Sequence, residues 1–485
     1  MNCRWIAGLF MALASCTNPP SEKVVLTFDP DHFTTESRMV NTAAGKVDVE
    51  FHAYRHLPYL SRLTDVNYQS LDIEVPVRVN GKELTTGDAP IFFNIKVGGY
   101  LSVRNIPDPN LMAEDSQEKV RPASDALSDR ADLALAAGLV VVTPGCRGWD
   151  NQAPDGNYYG KAPAAIVDLK AAIRYLRFNQ GRIPGNTDQI ITVGCSAGGA
   201  LSALLGTSGD SPLFTSLLKS AGAAEASDQV FASACYSPIT DLENADGAYE
   251  WMFADLPTPY GPVDYGVSLE MREAFGVYQN ELGLTGREGF GPLNIDRYPN
   301  YLMHYYLVPA ANQFLEELNE DQRQEYLTTN PWISWNERTV SFAFRDYVKH
   351  VGRMKGLPAF DDFPMVQPEP KLFGDSTHPA RHFTDLGVRF EMNNPNIHVD
   401  GEMLQRTHLM NPMYFLQIHH KGLAEYWWLR NGTKDNHTSQ TVMINLATSL
   451  ENRGKKVNTW LFWDGGHCAD DDPDGLIQWM KMITE

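Results

Sequence analysis

Apolar and polar positions alternate in two stretches near the start of the chain. Val47, Val49 and Phe51 mark residues 45–56, and Leu71, Ile73, Val75, Val77 and Val79 mark residues 68–80. A period of two predicts half-buried strands, here antiparallel, and Asn80-Gly81 is a strong tight-turn signal. From residue 90 the pattern changes. Residues 90–97, 139–143, 190–193 and 231–236 are short apolar runs, as in strands buried on both faces of a parallel sheet. Helical spacing fills the gaps at 123–137, at 161–179 (Ala165, Ile166, Leu169, Ile173, Leu176) and after Gly199. Alternating strands and helices predict an α/β fold: a mostly parallel sheet, helices on both faces, after an antiparallel start.

The alternation stops over residues 247–420. This stretch is rich in aromatics, proline and polar helical pieces, 312–328 among them. It reads as a large insertion capping the C-terminal edge of the sheet, a lid or substrate domain. The alternation then resumes with a strand at 424–430, a helix at 438–453, a strand at 457–463 and a closing helix at 473–484. The core is expected at 41–246 and 421–485.

The first residues read differently. Arg4 precedes an apolar run, residues 5–13, too short to span a bilayer. Leu13-Ala14-Ser15-Cys16 then resembles the lipobox of bacterial lipoproteins, whose cleavage leaves an acylated cysteine. Residues 1–16 are thus expected to be a signal peptide, Cys16 a lipidation site and 17–40 a tether. The expected location is the bacterial cell envelope, with the membrane, an outer membrane by this reading, contacted only through the lipid. A net charge of −20 repels phosphate backbones and argues against nucleic acid as a partner.

The chemistry centres on Gly194-Cys195-Ser196-Ala197-Gly198. A strand precedes it and a small-residue helix follows, the strand–turn–helix context of the α/β-hydrolase nucleophile elbow. Ser196 is the expected nucleophile. A serine alcohol needs a base, and the base an orienting carboxylate. In the order Ser, acid, His, the slots fall on Asp435, after the 424–430 strand, and His467, after the last strand. Asp241 and Asp470 are rival acids. The oxyanion is expected to meet the N–H of Ala197 and that of Gly99 or Tyr100. No metal or organic cofactor is called for.

Cys195 precedes the serine and Cys468 follows the histidine. If Ser196 and His467 meet, the two cysteines come within disulfide reach. Cys146 and Cys235 end strands that are not expected to be neighbours, and read as buried thiols.

Cys195-Ser196, Asp435 and His467-Cys468 together resemble the CS-D-HC arrangement of tannases and feruloyl esterases, where those cysteines are disulfide-linked. Further pieces similar to bacterial tannases are Gly160-Lys-Ala-Pro-Ala-Ala-Ile, Pro238-Ile-Thr-Asp-Leu-Glu-Asn, Lys355-Gly-Leu-Pro-Ala-Phe-Asp-Asp and Trp427-Trp-Leu-Arg-Asn-Gly. The resemblance covers residues 90–485. It implies an α/β-hydrolase fold and a serine esterase cleaving galloyl or feruloyl esters, its partner a small phenolic ester. It also implies that Lys355 and Glu369 hold phenolic hydroxyls. The third such position, an aspartate in those tannases, is His437 here. A neutral imidazole accepts one hydrogen bond but lacks a carboxylate's charge, which favours acyl groups with fewer hydroxyls. The rival readings are a general or carbohydrate-acetyl carboxylesterase, a peptidase of the same fold, and a lipoprotein that binds polyphenols or glycans without turnover.

Overall fold

A computed structural model describes residues 24–106, 129–336 and 339–485. The expected signal segment, Cys16, the first part of the tether and part of the 123–137 helix lie outside these residues.

Nine strands build the main sheet: β1 (Thr34–Thr42), β2 (Gly45–Pro58), β3 (Ser70–Val79), β4 (Pro90–Ile95), β5 (Val140–Pro144), β6 (Asn186–Cys195), β7 (Ala232–Tyr236), β8 (Tyr426–Gly432) and β9 (Lys456–Phe462). A two-residue strand, Lys82–Glu83, pairs with β3. The order is β1-β2-β3-β5-β4-β6-β7-β8-β9. β1, β2, β3 and β5 pair antiparallel, and from β5 to β9 every neighbour is parallel. This is the α/β-hydrolase fold, with the switch from antiparallel to parallel where the residue pattern changes.

Adjacent residues of β6 serve opposite faces. Ile190 packs with Leu201 and Ile166, under the Ala164–Phe178 and Ala197–Thr207 helices. Ile191 and Val193 pack with Ala134 and Leu476, from the Arg130–Ala136 and Pro473–Thr484 helices. Helices therefore cover both faces, and the central strands β4 to β8 are largely buried on two sides.

Two expectations need correction, and one turn signal is placed. Residues 34–40, assigned to a tether, belong to β1, whose register against β2 runs from Thr34↔Ala53 to Thr42↔Gly45. Val40 faces the core and is fully buried, so this stretch is held by apolar burial as well as by the ladder. The Asn80-Gly81 turn, both residues at positive φ, forms the tight turn its sequence signals, pairing β3 with Lys82–Glu83. The helix expected over 312–328 is two, Val308–Glu317 and Glu320–Thr329. The first ends as Leu318 turns to extended backbone, and Asn319 caps the second through a reciprocal capping box with Gln322.

The polypeptide leaves the sheet after β7 and returns at β8, its immediate neighbour. The intervening stretch is mostly helical, from Leu242–Phe253 to Pro412–Gln417, with two small ribbons, Thr285–Gly286 with Gly291–Pro292 and Ser334–Asn336 with Thr339–Ser341. Among the described residues no helix is long and apolar enough to cross a membrane.

Candidate active site

Ser196 sits between β6 and the Ala197–Thr207 helix at φ 59°, ψ −124°, a region that residues bearing a Cβ rarely adopt. Its N–H donates to Tyr236 O at 3.0 Å, and its carbonyl accepts from Ala200 N at 2.9 Å. The turn closes only because its flanks are glycines. A Cβ on Gly194 would strike the Gly198 carbonyl, and one on Gly198 would lie 2.8 Å from Ile95 O and 2.9 Å from Val97 O. The Ser196 hydroxyl makes no hydrogen bond among the described residues. Ala197 is the first residue of the helix, so its N–H has no intrahelical acceptor.

His467 follows β9. Its Nδ1 lies 2.9 Å from Asp435 Oδ2, with Asp435 fully buried. Asp435 stands three residues past the end of β8. The two loops touch backbone to backbone: Thr433 N–H donates to Phe462 O at 2.8 Å and Lys434 N–H to Gly465 O at 2.9 Å. A side chain on Gly432 would collide with the Gly465 and Gly466 carbonyls.

The rival acids are occupied elsewhere. Asp241 accepts from Tyr278 Oη, Asn244 and Asn411, and burial raises its pKa to about 6. Asp470 pairs with Arg130.

Cys195 and Cys468 form a disulfide, with Cα atoms 5.8 Å apart across 273 residues of chain. It ties the residue before Ser196 to the residue after His467. The Cys468 N–H donates to Ser237 Oγ at 3.0 Å, and Ser237 Oγ donates to Asn431 Oδ1 at 2.7 Å. Cys146 and Cys235 are buried free thiols, on β5 or just beyond it and on β7, with two strands between.

Gly99 and Tyr100 form a turn with both φ positive. Gly99 lies beside Pro368, at the start of the short helix Pro368–Leu372 that carries Glu369. A cavity of about 750 Å³ is lined by Lys96, Gly98, Ser196, Cys468 and Asp470. Lys355, Glu369, His437 and His467 do not line it.

Those four residues are linked pairwise: His437 to His467, Lys355 to Glu369 and Lys355 to His437. Glu369 is buried, and its Oε2 has no hydrogen-bond partner among the described residues. Burial raises its pKa, and the Lys355 ammonium acts against that. The Lys355 Nζ stands 3.5 Å from the centroid of the Phe360 ring and makes no ion pair among the described residues. Burial lowers its pKa, opposed by Glu369, Asp246, Asp435 and Asp362. His437 is half-buried and stacks on His467.

Two supports of this pocket escape sequence reasoning. The Tyr249 hydroxyl accepts from Met354 N at 3.1 Å and Lys355 N at 3.0 Å, and donates to Asn436 O at 3.0 Å. It thereby joins the Lys355 loop to the turn between Asp435 and His437. Arg353 pairs with buried Glu250 at 2.7 Å and donates to the Lys355 and Gly356 carbonyls. Both Tyr249 and Glu250 lie on a helix whose apolar pattern resembles any core helix, so nothing local marked them.

Fold and relatives define a carboxylic ester hydrolase of the α/β-hydrolase class. A family model described as BD-FAE matches residues 157–254. Esterase LipQ of Mycobacterium tuberculosis is 39% identical over 94 residues, 19% of this chain and 21% of that protein. The native tannin acyl hydrolase of Lactobacillus plantarum is 32% identical, with TM-score 0.80, over 95% of this chain and 99% of that one. The tannase of Fusobacterium nucleatum is 31% identical, with TM-score 0.81, over 95% and 100%. The chain belongs to the tannase family.

Proposed function

We propose that this protein hydrolyses esters of phenolic acids through Ser196, His467 and Asp435. Ser196 Oγ attacks the acyl carbon while His467 Nε2 takes its proton. The oxyanion that forms is met by the N–H groups of Ala197 and Gly99. Collapse breaks the bond to the alcohol oxygen, which leaves with the proton from His467. Water, deprotonated by His467, then attacks the acyl-enzyme, and the acid departs as Ser196 regains its proton. Asp435 holds the His467 tautomer and the imidazolium.

The observation that carries the substrate class is the pairing of a buried carboxylate oxygen, Glu369 Oε2, that has no donor among the described residues, with the Lys355 ammonium, which makes no ion pair among them and sits close enough to act on that carboxylate. Buried polar groups left unmatched are costly. A ring bearing neighbouring hydroxyls satisfies both: one hydroxyl donates to Glu369 and another accepts from Lys355. His437 stands at the third position with an imidazole that accepts one further hydroxyl. Related tannin acyl hydrolase structures hold ethyl gallate and 3,4-dihydroxybenzoate, which supports a hydroxylated benzoyl group over an acetyl group. The amino-terminal lipobox-like stretch supports attachment to a bacterial envelope membrane through Cys16.

The test is turnover of methyl gallate, methyl protocatechuate, methyl ferulate and naphthyl acetate by the parent, Ser196→Ala and Glu369→Gln. The reading expects S196A to lose about a millionfold in kcat. It expects E369Q to raise KM for the hydroxylated esters more than for the acetate. Cleavage of the acetate alone by the parent would refute the phenolic assignment.

A further inference from the structure

The His437 imidazole lies flat on the His467 ring, with centroids 4.0 Å and planes 9° apart. The His437 backbone N–H donates to Asp435 Oδ1 at 3.0 Å, while His467 Nδ1 meets Asp435 Oδ2 at 2.9 Å. One carboxylate therefore fixes both members of the stack, one by its ring and the other by its backbone. Three ionisable groups face the His437 ring: His467 from the loop after β9, Asp435 from its own turn and Lys355 from the neighbouring loop. Burial, His467 and Lys355 all favour the neutral ring, and Asp435 alone opposes them.

We propose that His437 is a positioning residue for the base: a neutral imidazole that holds the His467 ring in plane and covers one face of the imidazolium formed when Ser196 gives up its proton. This rests on the triad reading above. A cation is attracted to the face of a neutral aromatic ring within about 6 Å. As base, His467 becomes charged as the reaction proceeds, while His437 takes no proton. The stack therefore strengthens toward the transition state, which raises kcat rather than lowering KM. A protonated His437 reverses the sign, because two cations then face each other. Activity thus needs both rings neutral before the reaction starts.

The experiment uses naphthyl acetate, which carries no hydroxylated acyl ring and so reads the triad without the phenolic pocket. The parent, Ser196→Ala, His437→Ala and His437→Phe are compared for kcat, KM and the pH profile of kcat/KM. H437A is expected to lower kcat about five- to tenfold with KM little changed, and H437F to recover most of that loss. On the acid limb, the parent's log(kcat/KM) is expected to steepen toward a slope of about two, as two protons block it, while H437F keeps a slope of about one. Parent-like kcat in H437A, or H437F no better than H437A, overturns the proposal. If H437A does not fold, His437→Gln replaces it: kcat below that of H437F supports the stack, and equal kcat overturns it. Retained turnover in S196A would overturn the triad and this proposal with it. Failure on methyl gallate with the acetate pattern intact would overturn only the phenolic assignment.

Discussion

Gly198 shows how little space single atoms leave at the elbow. An added methyl would sit 2.8 and 2.9 Å from two backbone carbonyl oxygens, and no flexible side chain stands there to give way. Gly198→Ala is expected to destabilise the fold by about 1–3 kcal/mol and to displace the Ser196 turn. A lower thermal midpoint together with reduced kcat on naphthyl acetate would show both. Glu369 makes a second residue-scale case. Its pKa is raised, mainly by burial, and only the ionised form accepts a phenolic hydroxyl through either oxygen. KM for a hydroxylated ester should therefore fall as pH rises through that shifted value. A pH series with methyl protocatechuate checks it, and E369Q should flatten the trend.

Between elements, one helix holds the pocket together. Leu242–Phe253 supplies Asp246, Tyr249 and Glu250, and each grips the loop that carries Lys355. Tyr249→Phe keeps the ring and removes three hydrogen bonds of the hydroxyl. The expected result is a KM for phenolic esters raised about three- to tenfold, with a smaller change in kcat. Asp246 accepts from the Phe360 and Asp361 N–H groups, yet burial first and Asp361 second raise its pKa to about 7. The folded value lies above the unfolded one of about 4. Its stabilising contribution is thus complete below about pH 4 and lost as pH rises through about 7. The thermal midpoint of the parent should fall more between about pH 5 and about pH 8 than that of Asp246→Asn. Sequence patterns exposed the sheet because parallel strands are marked by unbroken apolar runs. They pointed to Ser196, Asp435 and His467 as candidates because strand ends are where an α/β sheet presents side chains, and the His467–Asp435 pair forms there. They did not expose Tyr249 or Glu250, whose importance lies in partners about a hundred or more residues away. β1 was also hidden: Thr34-Thr-Glu-Ser-Arg-Met-Val alternates weakly, since one side of an edge strand faces solvent.

Across the whole molecule, the disulfide joins the middle of the sheet to its far edge. Closing a loop of 273 residues restricts the unfolded chain by about 5 kcal/mol in the loop-entropy model. For a chain of this size that corresponds to a thermal midpoint lower by about 5 °C in a Cys195→Ser, Cys468→Ser double variant. Dithiothreitol should lower kcat in the parent and leave the double variant unaffected. Unchanged turnover with both thiols shown free would refute a link between the bridge and catalysis.

β7 and β8 hydrogen-bond to each other as parallel neighbours, with Tyr426 opposite Ala232. The entire Lys355- and Glu369-bearing excursion thus departs and re-enters through a single doorway in the sheet. Such a module can be exchanged for another of different length without moving the strands that carry Ser196 and His467. If Lys355 and Glu369 hold the acyl ring as proposed, that share of acyl preference enters and leaves by this doorway, while His437 stays behind with the triad.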